Sequence, residues 1–169
     1  LFEKVPSGVG SSGFVKINKT EFRDVLELGS EWCLEKGFAT KDDLAKTENL
    51  GRIKGADSSK TSQKAVERAL NQIGTLGSGN HFLEVDVVDE IFDERAAQIM
   101  GLEKGNLALQ IHCGSRGLGH QICSDYVKDF QSTVRKYNIR LPDRELVCAP
   151  IQSDEGKRYL AAMRCAANF

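Results

Sequence analysis

The hydrophobic pattern of the chain changes period at a glycine-rich segment, residues 74–80. Before it, apolar residues recur every three to four positions, as in residues 20–36, which is typical of amphipathic helices. Directly after it, residues 81–88 are rich in Phe, Leu and Val, which is typical of a strand. The change of period indicates that the chain contains both helices and strands.

The same reasoning assigns the rest of the chain. The predicted helices are residues 20–36, 40–46, 59–73, 89–100, 118–137 and a last one that begins at Ser153. The predicted strands are residues 14–17, 81–88, 107–113 and 146–151. Because helices and strands intermix without a regular βαβ rhythm, we expect an α+β fold with mixed sheets packed against helices.

Composition restricts the class of protein. Of 169 residues, 40% are hydrophobic and 28% charged, which excludes collagen-like and disordered chains. No apolar run approaches the roughly 18 residues of a membrane span, and no signal-peptide pattern is visible. The five cysteines are scattered and form no CxxC pair, so we expect reduced thiols in an intracellular protein of the cytoplasm or, in a eukaryote, also the nucleus.

Charge is uneven along the chain although the formal net charge is only −1. Residues 36–68 carry eight bases against five acids, and residues 84–103 carry seven acids against one base. Both stretches are typical of solvated faces, and the first is also able to hold a polyanion locally.

The last helical pattern has a start signal but no stop signal. Ser153 is a suitable N-cap, and Asp154 and Glu155 suit the positive end of a helix, yet neither Gly nor Pro follows before Phe169. The chain also begins without Met. We therefore expect residues 1–169 to be a single piece of a longer protein, with further N- and C-terminal parts.

Two of the three histidines adjoin a glycine-rich loop at a strand end. His81 follows residues 77–80, and His112 precedes residues 114–119. Side chains at such positions can converge on an ion, and neutral imidazole is a common ligand of Mn-, Fe-, Ni- and Zn-type ions. The pattern is equally compatible with two structural histidines.

The second glycine-rich loop, residues 114–119, opens a predicted helix and contains Arg116. Backbone N–H groups at a helix start, together with a guanidinium group, favour phosphate. The loop matches neither the Walker motif nor GxGxxG, and a sharp turn would use the same residues.

Phe82 and Glu84 share one face of the predicted strand, because alternate residues point the same way. A ring that packs on a base and a carboxylate that accepts hydrogen bonds from a guanine edge would make a purine pocket. A core Phe beside a surface Glu explains the pattern as well.

A zinc site is a rival interpretation of the same region. The four potential ligands are His112, Cys113, His120 and Cys123. Structural zinc usually uses separated CxxC-type knuckles, whereas adjacent His112 and Cys113 would point to opposite faces of a strand.

Two segments, residues 74–84 (GTLGSGNHFLE) and 112–121 (HCGSRGLGHQ), strongly resemble the RtcB family of tRNA-splicing RNA ligases. The separation of His81 and His112 also fits that family. Shorter likenesses lie in residues 5–10, 150–153 and 159–169.

The resemblance implies an enzyme that joins an RNA 2′,3′-cyclic phosphate or 3′-phosphate end to a 5′-hydroxyl end, with GTP and two Mn²⁺ ions as cofactors. It implies His81 and His112 as manganese ligands. It further implies that Asn80 contacts the nucleotide phosphate, Phe82 the guanine and Glu84 its edge. The implied partners are RNA in the form of tRNA halves, an archease-like activator and subunits of a splicing-ligase complex, and no membrane.

The chain departs from the family pattern in two respects. The Asp-x-x-Cys metal motif of the family is absent, and by resemblance the later metal histidine and the guanylylated histidine lie beyond Phe169. The resemblance therefore assigns no catalytic nucleophile to this chain and implies that the chain alone does not ligate RNA. For Arg116 the resemblance implies a contact with RNA or phosphate. The alternative function is a non-catalytic RNA- or partner-binding module, with residues 36–68 on phosphates and a structural His/Cys cluster.

Overall fold

The structure is a computed structural model that describes residues 4–169 and divides into two compact units. We call the unit formed by residues up to Ser11 and by residues 75–114 the hairpin unit, and the unit formed by residues 12–74 and 115–169 the helical unit. Helices dominate and the only sheet of the described residues has two strands, so the expected α+β class is confirmed. The expectation of mixed sheets is wrong, because the two strands are antiparallel.

The helical unit contains most of the helices. They are α1 (Lys19–Leu28), α2 (Ser30–Glu35), α3 (Lys41–Ala45), α4 (Gln63–Ala69), α6 (Arg116–Lys136) and α7 (Asp154–Asn168), with a short 3₁₀ turn at Ser58–Lys60; α5 (Glu94–Met100) belongs to the hairpin unit. Asn18, Thr40 and Ser62 cap α1, α3 and α4 through their side chains, and Ser153 caps α7 as its sequence predicted.

The core of the helical unit lies where α1, α4, α6 and α7 meet. Small residues at the helix crossings let the backbones approach, and large residues fill the space between them. The buried residues of this core are Phe22, Leu26, Ala65, Ala69, Leu118, Ile122, Ala162 and Cys165. Burial raises the pKa of the Cys165 thiol to about 12, so this cysteine is an apolar core residue.

The helix predicted for residues 20–36 is two helices that break at Gly29. Gly29 has a φ of +57°, and a Cβ there would collide with the carbonyl oxygen of Gly51. The apolar face was predicted correctly nevertheless, since Phe22, Val25 and Trp32 are buried. The spacing of apolar residues every three to four positions correctly predicted which side of the helices is buried. The break at Gly29 could not be predicted in this way, because it depends on the backbone of Gly51, which is distant in sequence.

Asn168 ties the end of α7 to the rest of the helical unit. Its side-chain amide accepts a hydrogen bond from the N–H of Ile53 (2.7 Å) and donates to the carbonyls of Leu26 (2.9 Å) and Ile53 (3.2 Å). Polar groups that are partly buried need such partners.

Several predicted boundaries are wrong. Residues 14–17 and 146–151 form no strand, and two helices start later than predicted, α4 at Gln63 and α5 at Glu94. α5 begins late because Asp93 accepts a hydrogen bond from the N–H of Ala96 and so acts as its N-cap.

The hairpin unit is built on β1 (Phe82–Val87) and β2 (Leu107–His112). The strands pair antiparallel in a register that places Phe82 opposite His112 and Val87 opposite Leu107. Because side chains alternate, one face carries Phe82, Glu84, Asp86, Ala108, Gln110 and His112, and the other carries only apolar residues. We call these the polar face and the apolar face of the hairpin.

Candidate functional site

Two imidazole rings meet at the open end of the hairpin. His112 is the last residue of β2, and His81 directly precedes β1. Their ring centroids lie 5.9 Å apart, with an angle of 35° between the ring planes. The structure therefore brings together the two histidines that the sequence singled out.

Strand alternation alone would send His81 to the apolar face, away from His112. It does not apply, because His81 lies before the ladder begins and is held by the loop instead. Gly114 runs beside the His81 ring, where a Cβ would lie 3.7 Å from Nε2. Nδ1 of His81 is buried and has no hydrogen-bond partner among the described residues.

A buried ring nitrogen without a partner is costly unless a ligand satisfies it. The histidine pair therefore fits a divalent ion of the Mn or Zn type in donor chemistry. Within residues 4–169 no group of three or more His, Cys, Asp or Glu side chains is placed to hold such an ion. The described residues thus bring two potential metal ligands together and offer no third.

The polar face continues from His112 along the hairpin. The Phe82 ring lies 5.4 Å from the His112 ring, centroid to centroid, at an interplanar angle of 32°. Glu84 stands two positions further along, opposite Gln110, and both residues are exposed. An aromatic surface, a carboxylate and an amide therefore follow one another beside the histidine pair.

Gln110 did not stand out in the sequence. Its only signal was the register between two predicted strands, which a single sequence does not reveal. In the structure it is the cross-strand neighbour of Glu84 on the polar face, at the short separation usual for such pairs.

Asn80 is exposed in the loop that leads into β1. That loop is held to residues 5–10, which also matched the family pattern: the N–H of Gly8 donates to the carbonyl of Gly77 (2.7 Å), and the N–H of Leu76 to that of Pro6 (2.9 Å). Gly77 has a φ of +98°, a conformation that favours glycine. These bonds position the loop that carries Asn80.

Arg116 is the first residue of α6 in the helical unit, is half-buried and has a φ of +51°. The predicted phosphate-binding loop is partly occupied by the protein itself, since the N–H of Gly117 donates to Oε1 of Gln72 at 2.8 Å. Arginine at a helix start remains compatible with a phosphate contact.

The structure does not support the zinc interpretation. The Cys113 thiol faces backbone carbonyl groups, and its Sγ lies 3.6 Å from the carbonyl oxygen of Leu76. His120 lies on α6, where its Nδ1 is 3.4 Å from a guanidinium nitrogen of Arg68. Cys123 is exposed. No cluster of three such ligands occurs in the described part of the chain.

Half of the bases in the stretch 36–68 form ion pairs with neighbouring carboxylates. Ion pairs join Lys36 to Glu21, Lys46 to Asp42, Arg52 to Glu31 and Lys60 to Asp57. This pattern favours a solvated, internally paired surface over a dedicated phosphate track. None of the helices in residues 4–169 has the length and apolar character needed to cross a membrane.

Comparison with known proteins decides the family. The family model described as "tRNA-splicing ligase RtcB" matches residues 1–169, the whole chain. The chain belongs to the RtcB family. Proteins named tRNA-splicing ligase RtcB from Pyrococcus abyssi, Methanococcus maripaludis and Archaeoglobus fulgidus are 52%, 51% and 48% identical to it over 169 residues. The alignments cover 100% of this RtcB chain but only 18% of the first relative and 35% of the other two.

Proposed function

We propose that this RtcB chain is one section of a longer GTP- and Mn²⁺-dependent RNA ligase. The ligase would join RNA ends that carry a 2′,3′-cyclic phosphate or 3′-phosphate to 5′-hydroxyl ends, in tRNA splicing and RNA repair. The single observation that carries the proposal is the meeting of His81 and His112, with a buried ring nitrogen that no described residue satisfies.

His81 and His112 would hold the metal, each through a neutral ring nitrogen. A bound Mn²⁺ supplies positive charge that neutralises phosphate oxygens during nucleotidyl transfer. The remaining ligands would come from polypeptide outside the described residues, because those residues offer no third one. Because Gly114 has no side chain, the space beside Nε2 of His81 would stay open for the metal or for another of its ligands.

The polar face would bind the guanosine nucleotide. Phe82 offers a ring face on which a base can pack, and the Glu84 carboxylate can accept two hydrogen bonds from the N–H groups of a guanine edge. Asn80, at the loop end of the same strand, would donate to a phosphate oxygen. Adenine presents no matching pair of donors to a carboxylate, so Glu84 would discriminate between the two purines.

Arg116 would contact RNA or a phosphate at the start of α6. The nucleophilic histidine that accepts GMP would lie outside this chain, so the 169 residues alone should neither attach GMP nor ligate RNA. The proposed partners of the longer ligase are tRNA halves, an archease-like activator and subunits of a splicing-ligase complex.

The alternative function is a non-catalytic module that binds RNA or a protein partner. It predicts that the histidine pair is structural and that residues 36–68 contact phosphates. The ion pairs of that stretch weaken this alternative, because four of its eight bases already have an acidic partner.

The decisive experiment measures covalent attachment of labelled GMP to the full-length ligase that contains this section. His81→Ala and His112→Ala should each reduce attachment at least about 100-fold, because each removes a ligand of the metal, while cooperative unfolding is retained. His120→Ala is the matched control, since this imidazole of α6 faces Arg68 of α4, and the variant should attach GMP normally. Normal attachment by both site variants would refute the assignment.

A further inference from the structure

The apolar face of the hairpin consists of three cross-strand pairs. They are Leu83 with Ile111, Val85 with Leu109, and Val87 with Leu107. Branched aliphatic residues opposite one another are typical of a sheet face that is packed against another layer. A sheet face that is exposed to solvent would instead carry mainly polar side chains.

Within the described residues of the hairpin unit, nothing covers this face. Five of its six side chains are more than half exposed: Val85 52%, Val87 61%, Leu107 73%, Leu109 58% and Ile111 61%. Single exposed aliphatic residues are ordinary, but a contiguous patch of this kind marks a contact surface. An isolated two-stranded hairpin is also at best marginally stable in water without such a cover.

We propose that the apolar face packs against polypeptide of the same longer ligase from outside residues 1–169. This inference rests on the proposed function. Its first support is length: relatives that align with all 169 residues have between about two and five times as much chain again. The RtcB proteins therefore contain ample polypeptide to supply a second apolar layer.

The opposite face of the same hairpin supplies an independent argument. It carries His112, beside which the preceding loop holds His81, and no third ligand of this kind occurs among the described residues. The polar face thus lacks further metal ligands, and the apolar face lacks a layer that packs against it. A second copy of this section would cover the apolar face but would bring no new type of ligand to the polar face, so the rest of the ligase is the occupant that accounts for both.

Packing on one face would orient the ligands on the other. The strand backbone is shared, so a layer that immobilises Val85 and Leu109 also fixes the strands that present Phe82 and His112. The cover would therefore preorganise the metal and nucleotide site rather than merely bury apolar surface.

The test compares cysteine accessibility in the 169-residue chain and in the full-length ligase. Leu109→Cys and Val85→Cys place a thiol on the apolar face, and Gln110→Cys places one on the polar face. Peptide mass spectrometry measures the rate at which maleimide labels each introduced cysteine. This labelling rate is divided by the labelling rate of the same variant in denaturant.

In the full-length ligase the two apolar-face thiols should react at least about tenfold more slowly than in the short chain. The Gln110→Cys thiol should stay reactive in both, because a nucleotide must reach that face. Equal rates for Leu109→Cys and Val85→Cys in the two proteins would overturn the proposal. So would protection already present in the short chain together with a dimeric mass in light scattering, which would assign the cover to a second copy. The readout does not depend on GMP attachment, so it separates this inference from the proposed function.

Discussion

Single residues carry the nucleotide recognition proposed for the polar face of the hairpin. His81 contributes a buried nitrogen without a described partner, and His112 and Phe82 form the ring surface beside it. Glu84 is the only residue of that face proposed to read the base itself. The role of Glu84 can therefore be separated from metal binding by a substitution that removes the charge of its side chain and keeps its shape.

Glu84→Gln in the full-length ligase should weaken the preference for GTP over ATP by about tenfold to 100-fold. The amide that replaces the carboxylate offers one acceptor where the guanine edge needs two, and a hydrogen bond to a charged group contributes roughly 1.5–3 kcal/mol. The measurement is covalent nucleotide attachment at matched GTP and ATP concentrations.

Asp86→Asn is the control for Glu84→Gln. Asp86 lies two residues further along the same face, opposite Ala108, so its change removes the same charge from the same strand. This control should keep the parental preference. If Glu84→Gln discriminates as well as the parent, Glu84 does not belong to the guanine pocket.

At the scale of elements, the end of α6 is fastened to the start of α7. Nζ of Lys136 donates to Oε1 of Glu155 at 2.7 Å, and the Tyr137 hydroxyl donates to Oε2 at 3.3 Å. The hydrogen bond from Lys136, with a backbone hydrogen bond at the N-terminus of α7, lowers the pKa of Glu155 from 4.5 to about 2. A carboxylate in the first turn also interacts favourably with the helix dipole.

The lowered pKa of Glu155 makes the stability of the chain depend on pH in the acid range. Its contribution is present above the unfolded pKa of 4.5 and is lost as the pH falls towards 2, because the unfolded state then binds the proton more tightly. Glu155→Gln should therefore flatten the decrease of the unfolding free energy between these two pH values.

The measurement is urea denaturation of the 169-residue chain at a series of pH values. Lys136→Met removes the main hydrogen-bond donor and should flatten the same part of the curve. Parent and Glu155→Gln curves that run parallel from pH 4.5 to about 2 would contradict this explanation.

At the scale of the whole molecule, the packed core is confined to the helical unit. Each residue of the main core, from Phe22 to Cys165, belongs to that unit. The hairpin unit buries little beyond Thr75, Gly77 and Ala97 and leaves its apolar face in solvent. The elements that carry the candidate ligands are thus the less stabilised part of the chain.

Amide hydrogen exchange of the 169-residue chain should reflect this difference. The central amides of α6 should exchange at least about 100-fold more slowly than those of β1 and β2, because opening a segment costs less where few apolar contacts are lost. Exchange resolved by NMR or by peptide mass spectrometry measures both sets in one sample. Equal protection of the strands and of α6 would contradict this prediction.

Local signals in the sequence determined a good part of this structure. The two strands, the caps at Thr40 and Ser153, and the buried face of α1 and α2 follow from alternation, capping chemistry and helical spacing, which act over a few residues. The histidine pair was also foreseen, because glycine-rich loops beside strand ends are a local feature.

Only the tertiary structure decided the rest, since it depends on residues far apart in the chain. The break at Gly29 follows from the approach of Gly51, and the register of β1 with β2 placed Phe82 opposite His112 and Gln110 opposite Glu84. Residues 14–17 and 146–151 have strand-like composition but no pairing partner among the described residues, because a strand exists only with another strand beside it.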